Sequence, residues 1–138
     1  MAGESTFDVE VLTPEGEVFK GEVTQVSTRT MTGEIGILAN HAPVLAALKP
    51  TELRLYAGDS EPERWAQAHG MLQVFGNHAQ ILVEEAIRPE DLDSAALKQE
   101  LEDAERRLEE ADEGSAAAER AEKDRDRIEK FLEIAEGN

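Results

Sequence analysis

The chain has 138 residues, 40% hydrophobic and only 4% aromatic, and its 31 acidic and 14 basic side chains leave a net charge of −17. Such acidity argues against nucleic acid or an anionic membrane face as a partner, because both demand clustered Lys and Arg. The absence of cysteine excludes disulfides, thiolate metal sites and cysteine nucleophiles, and it suits a reducing compartment.

No run of 18 apolar residues occurs, and the stretch MAGESTFDVEV has no basic segment followed by an apolar one. Neither direct membrane insertion nor a secretory signal is therefore expected.

From the N-terminal side, the sequence reads as short strands. In STFDVEVLT, Phe7, Val9 and Val11 alternate with Asp8 and Glu10, a period of two. Pro14-Glu15-Gly16 supplies a turn, and EVFKGEVTQVSTRT continues with strand-like density of Val, Phe and Thr. In GEIGILANHAPVLAAL, glycines 33 and 36 permit tight turns and Pro43 holds the chain extended, which puts Glu34 at a loop tip. TELRLYAG alternates again at Leu53, Leu55 and Ala57, while ERWAQAHGMLQVF and AQILVEEA flank a hairpin turn at Gly76-Asn77-His78. Many short strands at this spacing predict an antiparallel β-sandwich or barrel over residues 1–89.

The composition changes at Pro89. Residues 1–89 hold all five prolines and 8 of the 10 glycines, with 6 basic against 13 acidic side chains. Residues 90–138 hold no proline, and 8 basic and 18 acidic side chains among alanines and leucines favour helix. One apolar stripe runs Leu97, Leu101, Ala104, Leu108, Ala111 and a second runs Ala121, Ile128, Leu132, Ala135, separated by a stop and new N-cap at Gly114-Ser115. The pattern predicts an antiparallel two-helix hairpin with a thin, alanine-rich seam. The fold class is thus β followed by α: an antiparallel sandwich, then a helical hairpin.

No catalytic constellation emerges. His41, His69 and His78 lack the convergent spacing that a metal requires, so no metal is expected. Gly58-Asp59-Ser60 resembles the start of one serine-hydrolase family, yet it sits among turn residues without the partners that activate a serine. No phosphate-cradling glycine motif occurs, and no cofactor is expected. Glu34 and His41, seven positions apart, remain open to reading as a catalytic pair, a metal fragment, or a surface for another protein.

At this stretch the sequence resembles the epsilon subunit of F-type ATP synthases. The resemblance is carried by FDVEVLTPEGEVFKGEV, GEIGILANHAPVLAAL and HGMLQVFGNHAQILVEEAIRPEDLD, and it spans nearly the whole chain. It implies a ten-stranded N-terminal sandwich and a C-terminal hairpin. It further implies a non-catalytic central-stalk subunit, bound to the gamma subunit and the c-ring at the cytoplasmic face of the plasma membrane, that helps couple proton flow to ATP synthesis. By this resemblance Glu34 meets the c-ring and His41 lies near rotor contacts. The competing reading is a free-standing β-sandwich adaptor with a helical tail; a small hydrolase using Ser60 is a further rival.

The resemblance also implies that the hairpin switches to an extended form that reaches the alpha/beta hexamer and blocks hydrolysis. Arg120, Lys123, Arg127 and Lys130 fall in one sector of the second helix. They form either a solvated face of local ion pairs or a basic stripe for the hexamer's acidic segment. Several bacterial members bind ATP at the hairpin through Ile or Leu, Asp, two variable residues, Arg, Ala. Here Leu92 and Asp93 match, but Ala96 replaces the arginine and Leu97 the alanine. Weak or absent ATP binding is therefore expected, with Asp93 left as a helix N-cap.

Overall fold

A computed structural model describes residues 5–137. Residues 1–4, which include the start of MAGESTFDVEV, and residue 138 lie outside the described part. The chain divides into two compact units, residues 1–88 and 89–138.

The first unit contains ten strands: β1 (Phe7–Thr13), β2 (Gly16–Val23), β3 (Gln25–Thr30), β4 (Gly33–Leu38), β5 (Val44–Leu48), β6 (Thr51–Tyr56), β7 (Glu63–Gln67), β8 (Gly70–Phe75), β9 (His78–Val83) and β10 (Ala86–Ile87). The hydrogen-bonded order is β10-β7-β6-β3-β5-β8-β9-β1-β2, with β4 on the other edge of β3. β3 joins two halves: it pairs with β6 through Gln25–Ser27 and with β5 only at Thr30↔Leu48. Side chains from both halves, among them Val9, Val11, Val26, Ile37, Leu53, Leu72 and Ile81, fill one core. This is a β-sandwich, as the period-two alternation predicts.

Four local expectations need correction. β1 runs parallel to β9, with Asp8 opposite His78 and Leu12 opposite Leu82, so the sandwich is not wholly antiparallel. Strand propensity does not encode which distant strand becomes a neighbour. ERWAQAHGMLQVF forms two strands rather than one, because the chain breaks at Ala68-His69 between β7 and β8. EVFKGEVTQVSTRT likewise splits at Thr24, whose backbone N–H and hydroxyl both donate to the Tyr56 carbonyl. His78 is the first residue of β9, and the turn itself is Gly76-Asn77, with φ of 54° and 59°. Left-handed backbone at both positions matches the right-handed twist of a hairpin.

Within the core, Thr28 donates to Gln67 Oε1 at 2.5 Å. The Gln67 amide then donates to the Lys49 and Ala68 carbonyls at 2.8 and 3.2 Å. Gln67 is fully buried, and these bonds satisfy polar groups that would otherwise be stranded.

The second unit contains a short 3-10 turn (Pro89–Asp91), α1 (Ser94–Glu110) and α2 (Ala116–Glu136). Asp93 caps α1 by accepting from the Ala96 N–H at 3.1 Å, and Ser115 caps α2 by accepting from the Ala118 N–H at 3.1 Å. Gly114, at φ 76°, takes the left-handed conformation just before the second cap. Leu97 and Ala104 are the buried residues of α1, whereas α2 buries Ala121, Ile128, Phe131, Leu132 and Ile134. The buried face of α2 is broader than the predicted stripe, which lacked Phe131 and Ile134. Ala111 is the extended C-cap of α1, outside the helix. Ion pairs Arg107–Asp124 (3.2 Å), Arg127–Glu100 (3.7 Å) and Lys98–Glu136 (3.1 Å) lace the two helices together.

Candidate partner-binding surfaces

The turn between β3 and β4 is set by Thr30, whose hydroxyl donates to the Gly33 carbonyl at 3.1 Å and accepts from the Thr32 N–H at 3.2 Å. Gly33 adopts φ 131°, so the tip is Met31-Thr32 and pairing starts at once. Glu34 is therefore a strand residue opposite Arg29, exposed on the sheet, and not a loop-tip residue. Gly36 makes no turn; it lies within β4 opposite Ser27.

His41 sits past the other end of β4. Its backbone N–H donates to the Leu38 carbonyl at 3.2 Å, and its Nδ1 lies 2.7 Å from the Ala42 carbonyl. The preceding residue, Asn40, is left-handed at φ 63°, and its N–H donates to the Asn77 side chain at 2.7 Å. The four residue steps along β4 from Glu34 to Leu38 alone separate the two ends by about 13 Å. Glu34 and His41 therefore do not come together, and neither a catalytic pair nor a shared metal site is built from them. Ser60 lies exposed between β6 and β7, where its N–H closes a turn onto Ala57 at 3.4 Å.

A larger feature is the outer surface of β5, β8, β9 and β1. Register places Leu12 opposite Leu82, Leu82 opposite Met71, and Met71 opposite Ala47. Leu12, Leu82, Met71 and Ala47 thus form one apolar row across four strands. Beside this row stands Leu45, 71% exposed, and Phe75 is 50% exposed on the same face of β8. Apolar side chains gathered on an outer sheet face in this way make it the candidate surface for a partner. Sequence reading fixed on Glu34 and His41 and missed these residues, although a signal existed. MLQVF, VLAAL and QILV carry apolar residues on both strand faces, and a strand with one face in water would alternate instead.

On the hairpin, the basic stripe is engaged within its own unit. Arg127 pairs with Glu100, and its guanidinium lies 5.7 Å from the Phe131 ring centre. Lys130 pairs with Glu133 at 3.0 Å. Arg120 and Lys123 are exposed. A shallow concavity between the helices is lined by Ala96, Glu100, Asp103, Arg107, Asp124 and Arg127 among others. Its arginines are already matched: Arg107 binds Asp103 at 3.0 Å and Asp124 at 3.2 Å, and the Asp103 hydrogen bond holds its pKa above the ordinary arginine value. Ala96 presents only a methyl group at the place of the motif arginine.

The structure thus defines a two-part class of protein: a ten-stranded sandwich with an apolar row on its outer sheet face, followed by a two-helix hairpin. The sequence profile of the ATP synthase delta/epsilon chain β-sandwich domain matches residues 6–89. The ATP synthase epsilon chain of Persephonella marina is 42% identical over 130 residues, covering 94% of this chain and 96% of that one. That of Halalkalibacterium halodurans is 36% identical over 94% of this chain and 97% of its own length. Among solved structures, a chain of the Euglena gracilis mitochondrial ATP synthase (OSCP/F1/c-ring) superposes with a TM-score of 0.77 at 21% identity, covering 95% of this chain and 84% of that one. A chain of the Tetrahymena thermophila mitochondrial ATP synthase central stalk and c-ring gives 0.63 at 15% identity, covering 97% and 99%. At those identities the two structures establish the fold, while the bacterial relatives establish the family. The chain belongs to the ATP synthase epsilon chain family.

Proposed function

We propose that this chain is the non-catalytic epsilon subunit of a bacterial F-type ATP synthase, carried on the rotating central stalk and helping to couple proton-driven rotation to ATP synthesis. The sandwich binds the rotor, with gamma and the c-ring as partners, and the hairpin regulates hydrolysis by reaching the alpha/beta hexamer. The observation that carries this reading is the outer-face apolar row Leu12, Leu82, Met71, Ala47, in which Leu82 and Met71 are exposed and beside which Leu45 is exposed, a surface suited to a permanent partner. Glu34, exposed on β4, and His41, after it, are assigned to c-ring and rotor contacts respectively. Arg120, Lys123, Arg127 and Lys130 are assigned to the hexamer.

No helix among the described residues is long and apolar enough to cross a membrane. Attachment at the cytoplasmic face of the plasma membrane accordingly runs through the complex and not through lipid. The test is to tag the chain in its source organism, extract membranes in mild detergent and identify what co-purifies. Alpha, beta, gamma and c subunits in constant ratio are expected; a tagged chain recovered alone overturns the reading in favour of a free-standing adaptor.

A further inference from the structure

The outer face that carries the apolar row is not chemically uniform. Its exposed large apolar residues Leu45, Met71, Phe75 and Leu82 lie on β5, β8 and β9, whereas most outer-face residues of β1 and β2 are charged. Register sets Asp8 opposite Glu22, Glu10 opposite Lys20 and Leu12 opposite Glu17 on this face. Four carboxylates and one lysine therefore edge the apolar surface on one side. Glu22 accepts from the Thr6 hydroxyl at 2.8 Å, and Glu10 lies 3.3 Å from His78 Nε2. Among the described residues Asp8, Glu17 and Glu22 make no ion pair, and Lys20, on the same face, is the one basic side chain of the β1–β2 border. β2 ends the order of paired strands, so this charged border lies at the open edge of the sheet.

That asymmetry decides what can cover the face. A second copy would bring an acidic border of the same sign and a chain of net charge −17 against it, which opposes association. An anionic lipid surface is repelled for the same reason. The geometry points to a rotor subunit that covers Leu45, Met71 and Leu82 with apolar side chains and sets a basic edge against Asp8, Glu17 and Glu22, so that the acidic border orients and accelerates docking while the apolar row holds the complex. This inference rests on the proposed function, with the gamma subunit as occupant, and adds to it the charge that gamma must present and the division of labour across the face.

Border charges act mainly on association rate and its salt dependence, whereas desolvated apolar anchors act on dissociation. The experiment measures binding of the full-length chain to immobilised gamma subunit from the same enzyme, at low salt and at 0.5 M salt. The variants are Asp8→Lys/Glu22→Lys, the milder Asp8→Asn/Glu22→Gln, and Leu45→Glu, each first checked for native circular dichroism. The association rate of the charge-reversed protein should fall about tenfold at low salt and converge on the unmodified protein at high salt, with dissociation changed less than twofold. The neutral pair should give a smaller effect of the same sign, and it carries the test alone if the reversed protein does not fold. Leu45→Glu should speed dissociation at both salt concentrations. An unchanged or faster association of the charge variants, with Leu45→Glu still weakening the complex, overturns the acidic border and leaves the docking face standing. No effect of any variant on gamma binding overturns the docking face itself.

Discussion

Gly70 opens β8 opposite Val83, and a Cβ built on it would lie 2.0 Å from the Leu82 carbonyl oxygen and 2.8 Å from Val83 Cα. Both are backbone atoms of the paired strand, so the clash is relieved only by parting β8 from β9. Gly70→Ala is expected to destabilise the sandwich by about 3 kcal/mol or more, read as a lowered urea midpoint. Gly36→Ala serves as the contrast, because its nearest neighbour is the end of the Gln25 side chain at 3.4 Å; a change below about 1 kcal/mol is expected there. Equal effects at the two glycines would refute the argument. Gln67 makes a second residue-scale case. Gln67→Leu would strand the Thr28 hydroxyl and the Lys49 carbonyl in the interior, at an expected cost of about 1–3 kcal/mol in the same measurement. Neither role is visible in the sequence, where Gln67 and Gly70 both fall inside the strand-like stretch ERWAQAHGMLQVF. Backbone approach and buried polar pairing are set by strands distant along the chain.

At the scale of elements, period-two alternation located β1 and β6, and the caps Asp93 and Ser115 were legible because capping is a short-range interaction between neighbouring residues. The parallel neighbour of β1 and the outer apolar row were not, since both depend on pairings between distant segments. The helical stripes were read correctly in period but too narrowly on α2, where Phe131 and Ile134 are also buried. This matters for testing the hairpin, because the four basic residues are not equivalent. Arg127→Glu would set a carboxylate against Glu100 and so weaken the hairpin itself. Arg120→Glu/Lys123→Glu changes two exposed positions and probes the hexamer contact. If the stripe reaches the hexamer, that double reversal should remove at least half of any inhibition of ATP hydrolysis in reconstituted complex, with gamma binding unchanged. Equal inhibition by both proteins would mark a solvated face. The concavity between α1 and α2 carries a further expectation. Its cations are already bound to Glu100, Asp103 and Asp124, and Ala96 supplies no donor fork, so a triphosphate meets carboxylates without an unmatched arginine. Calorimetric titration should detect no ATP binding at tens of micromolar, with or without magnesium; binding at that level would show that the groove rearranges.

For the whole molecule, division into two units after Arg88 leads to the expectation that residues 1–89 fold and bind the rotor without the hairpin. The buried core cluster, from Phe7 to Val83, belongs entirely to that segment. The segment also retains β10, paired with β7 through Ala86↔Gln67 and Ile87↔Ala66, so the sheet keeps its last strand. Arg88 secures the end of it: its guanidinium lies 4.0 Å from the Trp65 ring centre and 3.0 Å from Glu63, which ties the chain down just before the truncation point. The apolar row and its acidic border lie on β1, β2, β5, β8 and β9, within the same segment. The hairpin cannot stand in for either, because its buried residues are few and alanine contributes little area per residue. Trp65 is the chain's single tryptophan, so its fluorescence follows the sandwich alone, while circular dichroism at the helical band follows the hairpin in the full chain. The truncated protein should unfold cooperatively in urea by Trp65 emission and should bind gamma within about threefold of the full chain, a difference below about 0.7 kcal/mol. A fragment with no cooperative transition would show that the sandwich depends on the hairpin for its stability. A folded fragment that fails to bind gamma would move the rotor contact from the sheet face to the helices.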